Sequence, residues 1–161
     1  MDYVNVGVLL ADPKLPYNFT PDGKLGEEEY RAFKELRKAL DIVTKRSSLR
    51  FSFFDRHQTL FDDLRQADLD LVLNFCDTGY KNDWGLVTHI PAILEVLNIP
   101  YTGSNGYSFD LTADKSLVCS LARTLDIRVP EERYVDLREE GFPLPLKYPS
   151  LIKPNVGAGS F

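Results

Sequence analysis

Residues 69–76 read LDLVLNFC, an almost unbroken apolar run set between charged and turn-forming stretches. A strand with one wet face alternates apolar and polar positions, so a run without alternation belongs to a strand covered on both faces. Such a strand needs helices above and below its sheet, and the neighbouring sequence supplies them. YVNVGVLL (3–10) and SLRFSFFD (48–55) are two further strand-sized runs. Between them Tyr30, Phe33, Leu36 and Leu40 fall near one face of a helix, and TLFDDLRQADL (59–69) forms a second helix before LDLVLNFC. The alternation predicts an α/β domain with a parallel sheet.

After the third strand, NFCDTGYKNDWG (74–85) is a turn-rich loop leading to a helix that contains IPAILEVLN (90–98). Pro91 has no N–H, so the regular helix is expected to begin near it, the alternative being a kinked helix from about Gly85. IPYTGS (99–104) reads as a short strand and a turn. From Lys115 onward Leu117, Val118, Leu121, Ala122 and Leu125 form a helical stripe, which RVP (128–130) ends. RYVDL (133–137) and SLIK (150–153) read as strands on either side of a charged, proline-rich stretch. The expected division is a first domain over 1–106, its boundary near Gly103 to Ser108, a helical connector over 107–130, and the beginning of a second domain over 131–161.

Charge and composition narrow the function. The formal charge of -5 is spread through mixed-sign segments, and no basic stripe interleaved with aromatics appears, so nucleic acid is not the expected ligand. The apolar runs are strand-sized and too short to span a bilayer, and an acidic second residue spoils the N-terminus as an export signal. Cys76 and Cys119 share no CxxC spacing and read as reduced thiols of a cytoplasmic protein. The NFT triplet at Asn18 is a chance-level glycosylation match. No GxGxxG follows the first strand, which argues against a dinucleotide enzyme.

Several residues carry candidate chemistry. Lys153 closes a strand-like run and is followed by Gly157, Ala158, Gly159 and Ser160, a backbone able to curl round an anion beside a point charge. An ordinary glycine turn is the competing reading. Lys115 sits in the first turn of its helix, where a solvated lysine is commonplace. The loops after strands one and three leave the carboxyl ends of parallel strands, the usual ligand end of such sheets. There Asp12, Asn74, Asp77, Thr78, Asn82, Asp83 and Trp84 offer acceptors, amides and one aromatic wall, although turns are built from the same residue types. His57 and His89 have no acid or cysteine at metal-ligand spacing, so no metal site is expected. Cys76 reads as a buried structural cysteine.

The ordered set NIPYTGSNGYSFDLTADKSLVCSLARTLDIRVP followed by YPSLIKPNVGAGSF resembles the D-alanine:D-alanine ligase branch of the ATP-grasp superfamily. The family shows IPYTGS, a DK that opens a helix, I-V-P, and then a lysine–proline step into a glycine/serine-rich loop. The resemblance implies a Rossmann-like pre-ATP-grasp domain, a connector, and the start of the central ATP-binding domain, so the sequence reads as a piece of a longer chain. It further implies that Lys115 and Lys153 contact ATP phosphates and that Gly157, Gly159 and Ser160 belong to a loop closing over them. Magnesium is implied as well, on acidic ligands expected after Phe161. Two departures bear on substrate. ADPKLPYNFTPDGK replaces the family's GGxSxEHxVS segment, and CDTGYKNDWG replaces HGxxGEDG, so a small amino acid or carboxylate other than strictly D-alanine is expected.

The activity so implied is ATP-dependent joining of a carboxylate and an amine through an acyl phosphate, by the full-length enzyme, with the chain alone inactive. The resemblance also implies a homodimer through the first domain. The alternative from another class is a non-catalytic Rossmann-like module for small-molecule binding or subunit contact.

Overall fold

A computed structural model describes residues 3–17, 22–136, 138 and 148–156. The chain divides into two compact units, 1–106 and 107–161.

The first unit is built on a three-stranded parallel sheet of β1 (Val4–Leu9), β2 (Leu49–Phe54) and β3 (Leu71–Asn74), in the order β2-β1-β3. Helix α1 (Glu27–Thr44) connects β1 to β2, and α2 (Leu60–Gln66) connects β2 to β3. Parallel neighbours require such crossovers because a tight turn cannot return the chain to the same end of the sheet. The fourth strand expected at IPYTGS is reduced to a single bridge. Val72 donates its N–H to the Pro100 carbonyl at 2.8 Å, and Thr102 donates to the Val72 carbonyl at 2.9 Å.

Helices lie on both faces, as the unalternating apolar strand requires. On one face Leu9 and Val72 pack with Leu60 and Leu64 of α2 and with Ile90 and Leu94 of α3 (His89–Val96), all fully buried. Gly7 shares this face. A Cβ there would stand 2.9 Å from Val72 Cγ2 and 3.1 Å from Leu69 Cδ1, so the missing side chain is what lets this layer close on β1. Val6, Val8 and Leu10 alternate to the other face, where Leu10 lines a cavity together with Phe33 and Leu36 of α1.

Helix α1 opens with Glu27, Glu28 and Glu29, whose charges oppose the positive end of the helix dipole. Its covered stripe is narrower than the spacing suggests. Phe33, Leu36 and Leu40 are half-buried, whereas Tyr30 is 62% exposed. Arg37 on the same helix pairs with Asp55 at 2.6 Å and lies 4.0 Å over the Phe53 ring, tying α1 to the end of β2.

Helix α3 begins two residues before Pro91, so the missing N–H is one of the first-turn donors that has no helical acceptor anyway. The residues from Gly85 do not extend it, because Trp84–Leu86 form a separate 3₁₀ turn.

Helix α4 (Gly106–Ala113) starts at the last residue of the first unit, and α5 (Lys115–Thr124) follows in the second unit, where the predicted stripe begins at Lys115 as expected. The two strands read at 133–137 and 150–153 do not form. Residues 133–136 and 150–153 have no regular structure, and Leu137 lies outside the described residues. Leu151 and Ile152 are 86% and 92% exposed, so the apolar side chains of this run are not covered. Among the described residues no helix is long and apolar enough to cross a membrane.

Leu64→Ala should cost about 2–5 kcal/mol in urea unfolding, while Tyr30→Ala should change stability by no more than about 0.5 kcal/mol.

Candidate functional site

Two places gather the residues singled out in the sequence. The first lies at the carboxyl ends of β1 and β3. As β1 ends, Phe75 donates its N–H to the Leu9 carbonyl at 3.0 Å, which holds the loop after β3 beside the loop after β1. Asp12 is buried where the two loops meet. Its carboxylate accepts the His57 N–H and the Lys14 N–H, each at 2.9 Å. The Asp12 N–H donates to Asn82 Oδ1 at 3.0 Å, and Asn82 Nδ2 returns a bond to the Asp12 carbonyl at 2.7 Å. Thr78 adds its hydroxyl to Asn82 Oδ1 at 3.3 Å.

His57 is fully buried and its two ring nitrogens have opposite duties. Nδ1 accepts the Lys81 N–H at 2.7 Å, which fixes the proton on Nε2, and Nε2 lies 2.9 Å from the Leu10 carbonyl that receives it. The imidazole is therefore neutral, and burial holds its pKa below the usual histidine value. A second proton would destroy the bond to Lys81 and leave a charge in the core. Cys76 Sγ is 3.8 Å from the same ring and donates to the Gly79 carbonyl at 3.5 Å. Burial pushes this thiol up to about 12, so it is protonated and unreactive, as a structural cysteine should be.

These bonds hold a strained turn. Lys81 and Asn82 both have φ near 57°, the left-handed region that side chains disfavour by about 1–2 kcal/mol per residue. Gly79 has φ of 83°, and a Cβ there would meet the Asp83 carbonyl oxygen at 2.1 Å, so only glycine fits. Asp83 then accepts the Gly85 N–H at 2.9 Å and starts the turn that carries the half-buried Trp84.

Of the sequence candidates in these loops, Asp12, Thr78 and Asn82 are thus brought together and bonded to one another. Asn74 accepts the Cys76 N–H at 3.1 Å. Asp77 stands apart, exposed on the wall of a cavity of about 370 Å³ whose other lining residues include Leu10, Tyr17, Glu29, Phe33 and Phe75. Burial at that wall, and then the charge of Glu29, raise the Asp77 carboxyl above the ordinary aspartate value. The Tyr17 phenol is raised by burial and by the charges of Asp77 and Glu29. His57, Tyr17 and Glu29 were not among the sequence candidates. His57 meets Asp12 across 45 residues and Cys76 across 19, distances at which no spacing rule operates. His89 lies elsewhere, on an apolar groove with Tyr80 and Ile93. Among the described residues no group of three or more His, Cys, Asp or Glu is arranged to hold a metal ion.

The second place is the start of α5. Asp114 caps the helix by accepting the Leu117 N–H at 3.0 Å, and it also accepts the Ser116 hydroxyl at 3.0 Å and Asn155 Nδ2 at 2.9 Å. The Leu117 bond first, then Asn155, holds the Asp114 carboxyl below its usual value. Asn155 closes the ring. Its side-chain oxygen accepts the Ser116 N–H at 2.9 Å, and its carbonyl accepts the Lys115 N–H at 3.1 Å and Lys115 Nζ at 3.3 Å. Val156 bridges Asp114 in antiparallel fashion. The segment two residues beyond Lys153 is therefore fastened to the helix end that carries Lys115, and Lys153 itself is exposed. Gly157, Gly159 and Ser160 lie outside the described residues.

Two outcomes are expected. Because His57 has a lowered folded pKa, the unfolded chain binds more protons below its unfolded value of about 6.5. Stability is then complete above that pH and falls as pH drops through the window beneath it. In His57→Gln the loss between pH 7 and 5, followed by urea unfolding, should be smaller than in the wild type. Asp114→Ala should release the clamp, seen as several-fold faster hydrogen exchange at the Ser116 and Leu117 amides.

No protein-family model matches the chain, and no solved structure does. Curated proteins do. A D-alanine–D-alanine ligase of Sinorhizobium fredii is 38% identical over 97 residues, 59% of this chain and 30% of the relative. One from Methylobacterium radiotolerans is 37% identical over 71 residues, 44% of this chain and 23% of the relative. One from Thermotoga petrophila is 26% identical over 129 residues, 80% of this chain and 39% of the relative. The chain spans less than two fifths of the length of each. Over these stretches it is homologous to D-alanine–D-alanine ligases.

Proposed function

We propose that the chain is the N-terminal portion of an ATP-dependent carboxylate–amine ligase of the ATP-grasp superfamily, comprising a Rossmann-like pre-ATP-grasp domain, a connector and the opening of the ATP-binding domain. The observation that carries this reading is the similarity to ligases named for joining two D-alanines, which reaches over 80% of the chain in one case. The clamp at α5 agrees with it. Lys115 occupies the first position of a ten-residue helix, where its ammonium adds charge to the positive end of the helix dipole. The donor chemistry at Lys115 and Lys153 fits phosphate oxygens.

In this reading Lys115 and Lys153 bind the phosphates of ATP, and Gly157, Gly159 and Ser160 cover them. ATP, when bound, supplies the phosphoryl group that turns a carboxylate into an acyl donor. Asp114 and Asn155 do not touch the nucleotide. They fix the helix end and the Lys153 segment against each other, so that two lysines 38 positions apart (153 − 115) act on one ligand. Among the described residues no group of acidic side chains is arranged to hold magnesium. The substrates are a small amino acid or carboxylate and an amine, and the altered loops after β1 and β3 set a preference other than strict D-alanine.

The test is ADP release. Protein from the complete reading frame, with ATP and magnesium, should release ADP only when an amino acid or dipeptide is added. Lys153→Ala should lower kcat/KM for ATP about tenfold or more, the loss expected for one charge-assisted hydrogen bond. The 161-residue chain alone should release none. A folded, complete protein that releases no ADP with any member of an amino-acid and dipeptide panel would contradict the assignment.

A further inference from the structure

Two backbone N–H groups of the Gly79–Asp83 turn are used within it, Asn82 donating to the Gly79 carbonyl at 3.1 Å and Asp83 to the Tyr80 carbonyl at 3.2 Å. The Lys81 N–H instead crosses to Nδ1 of His57 at 2.7 Å, reaching the chain after β2. It belongs to the first of the two left-handed residues, where the backbone is least content to stay. Tyr80, the residue before it, stacks on the same ring with centroids 5.9 Å apart.

The acceptor on Nδ1 exists only while the imidazole is neutral. A proton there would set two donors against each other across 2.7 Å, and Nε2 cannot relieve them because it already donates to the Leu10 carbonyl at 2.9 Å. Charged and titratable groups approach the ring from several elements. Asp12 accepts the His57 N–H, Asp55 at the end of β2 pairs with Arg37 of α1, and Arg56 pairs with Asp63 of α2 at 3.3 Å. The loop after β3 brings the Cys76 thiol to 3.8 Å and holds the Lys81 ammonium 5.4 Å over the Tyr80 ring, and His89 of α3 shares an apolar groove with that tyrosine. Burial opposes a proton on His57 more strongly than the charges of Asp12 and Asp55 favour it, so the closed turn keeps the ring neutral. With the turn open, the ring meets water and takes up a proton at its ordinary value, near 6.5.

We propose that the Gly79–Asp83 turn is a proton-operated latch, shut by the bond from Lys81 to neutral His57 and kept from reclosing when the exposed ring is protonated, while the sheet stays folded. The open form binds more protons than the closed form. Opening is therefore favoured as pH falls below about 6.5, by up to about tenfold per pH unit, even though the closed form keeps its neutral ring. Asp77, Thr78, Asp83 and Trp84 lie in the same loop, so acid loosens the ligand end of the first unit before its core. The latch does not rest on the ligase reading.

The test is native-state amide exchange of the 161-residue chain between about pH 7 and about pH 5, each rate divided by its intrinsic value at that pH, with and without dilute urea. The Lys81 and Asn82 amides are expected to exchange through an opening that dilute urea leaves unchanged and that grows by up to about tenfold per pH unit below about 6.5. The Val72 amide, bonded to the Pro100 carbonyl at 2.8 Å, is expected to be better protected and to exchange only through a urea-sensitive opening. Two variants isolate the ring. His57→Asn keeps an oxygen near the place of Nδ1 and cannot titrate, so Lys81 should stay protected with no pH slope. His57→Gln keeps a donor for Leu10 but no acceptor for Lys81, whose protection should fall about fivefold or more at every pH. A Lys81 amide that exchanges only together with Val72, a wild-type protection that does not change with pH, or a slope that survives in both variants would overturn the proposal. Where a variant does not fold, the wild-type slope and its response to urea decide alone.

Discussion

The buried carboxylate of Asp12 is the point on which the ligand end of the first unit depends. A charged side chain in that position is tolerable only with its acceptors filled, and the fold fills them with two backbone N–H groups, one from its own loop and one from His57 after β2. The main chain of the same residue exchanges two bonds with the Asn82 side chain, so the loops after all three strands meet at one residue. Every described buried side-chain polar atom in the chain has a partner. A network satisfied to this degree specifies one arrangement, because removing any member leaves another unpaired in a low-dielectric setting. What it secures is a turn with two consecutive left-handed residues, which would relax without it.

Function enters through what the network leaves outside. Asp12, Thr78 and Asn82 consume their polar atoms within the network, while Asp77, one residue from Thr78, lines the cavity. Asp77 shares the wall of that cavity with Glu29 of α1. In the second unit Asp114 and Asn155 play the corresponding part for Lys115 and the segment after Lys153. Both places follow one principle, in which neutral or fully paired groups position the charged group that would meet a ligand.

The sheet and its helices were legible because a strand without a polar face writes itself into consecutive apolar residues such as Leu71, Val72 and Leu73, although only Val72 is fully buried and its two neighbours are half-buried. The onset of α5 was legible from its stripe. The failures have equally local causes. SLIK has the composition of a strand, but composition does not supply a neighbour, and its residues remain exposed. Tyr30 has helical spacing yet stays in water, since a helix on the flank of a small sheet covers only a narrow stripe. The loop residues were correctly placed at the carboxyl ends of the strands. Which of them is held inside the loop network depended on hydrogen bonds between residues 45 to 70 positions apart, and turn-forming Asn and Asp look the same in sequence whichever part they play. His57 had no partner visible in sequence for the same reason.

The most direct test of this account is the protonation state of His57, read from the nitrogen chemical shifts and two-bond couplings of its ring between pH 8 and pH 5. The account predicts one unchanging pattern, a proton on Nε2 and a bare Nδ1, with the Lys81 amide among the slowest of the loop to exchange. A ring that titrates at or above the ordinary value of about 6.5, or that carries its neutral proton on Nδ1, would contradict the network and the loop geometry built on it.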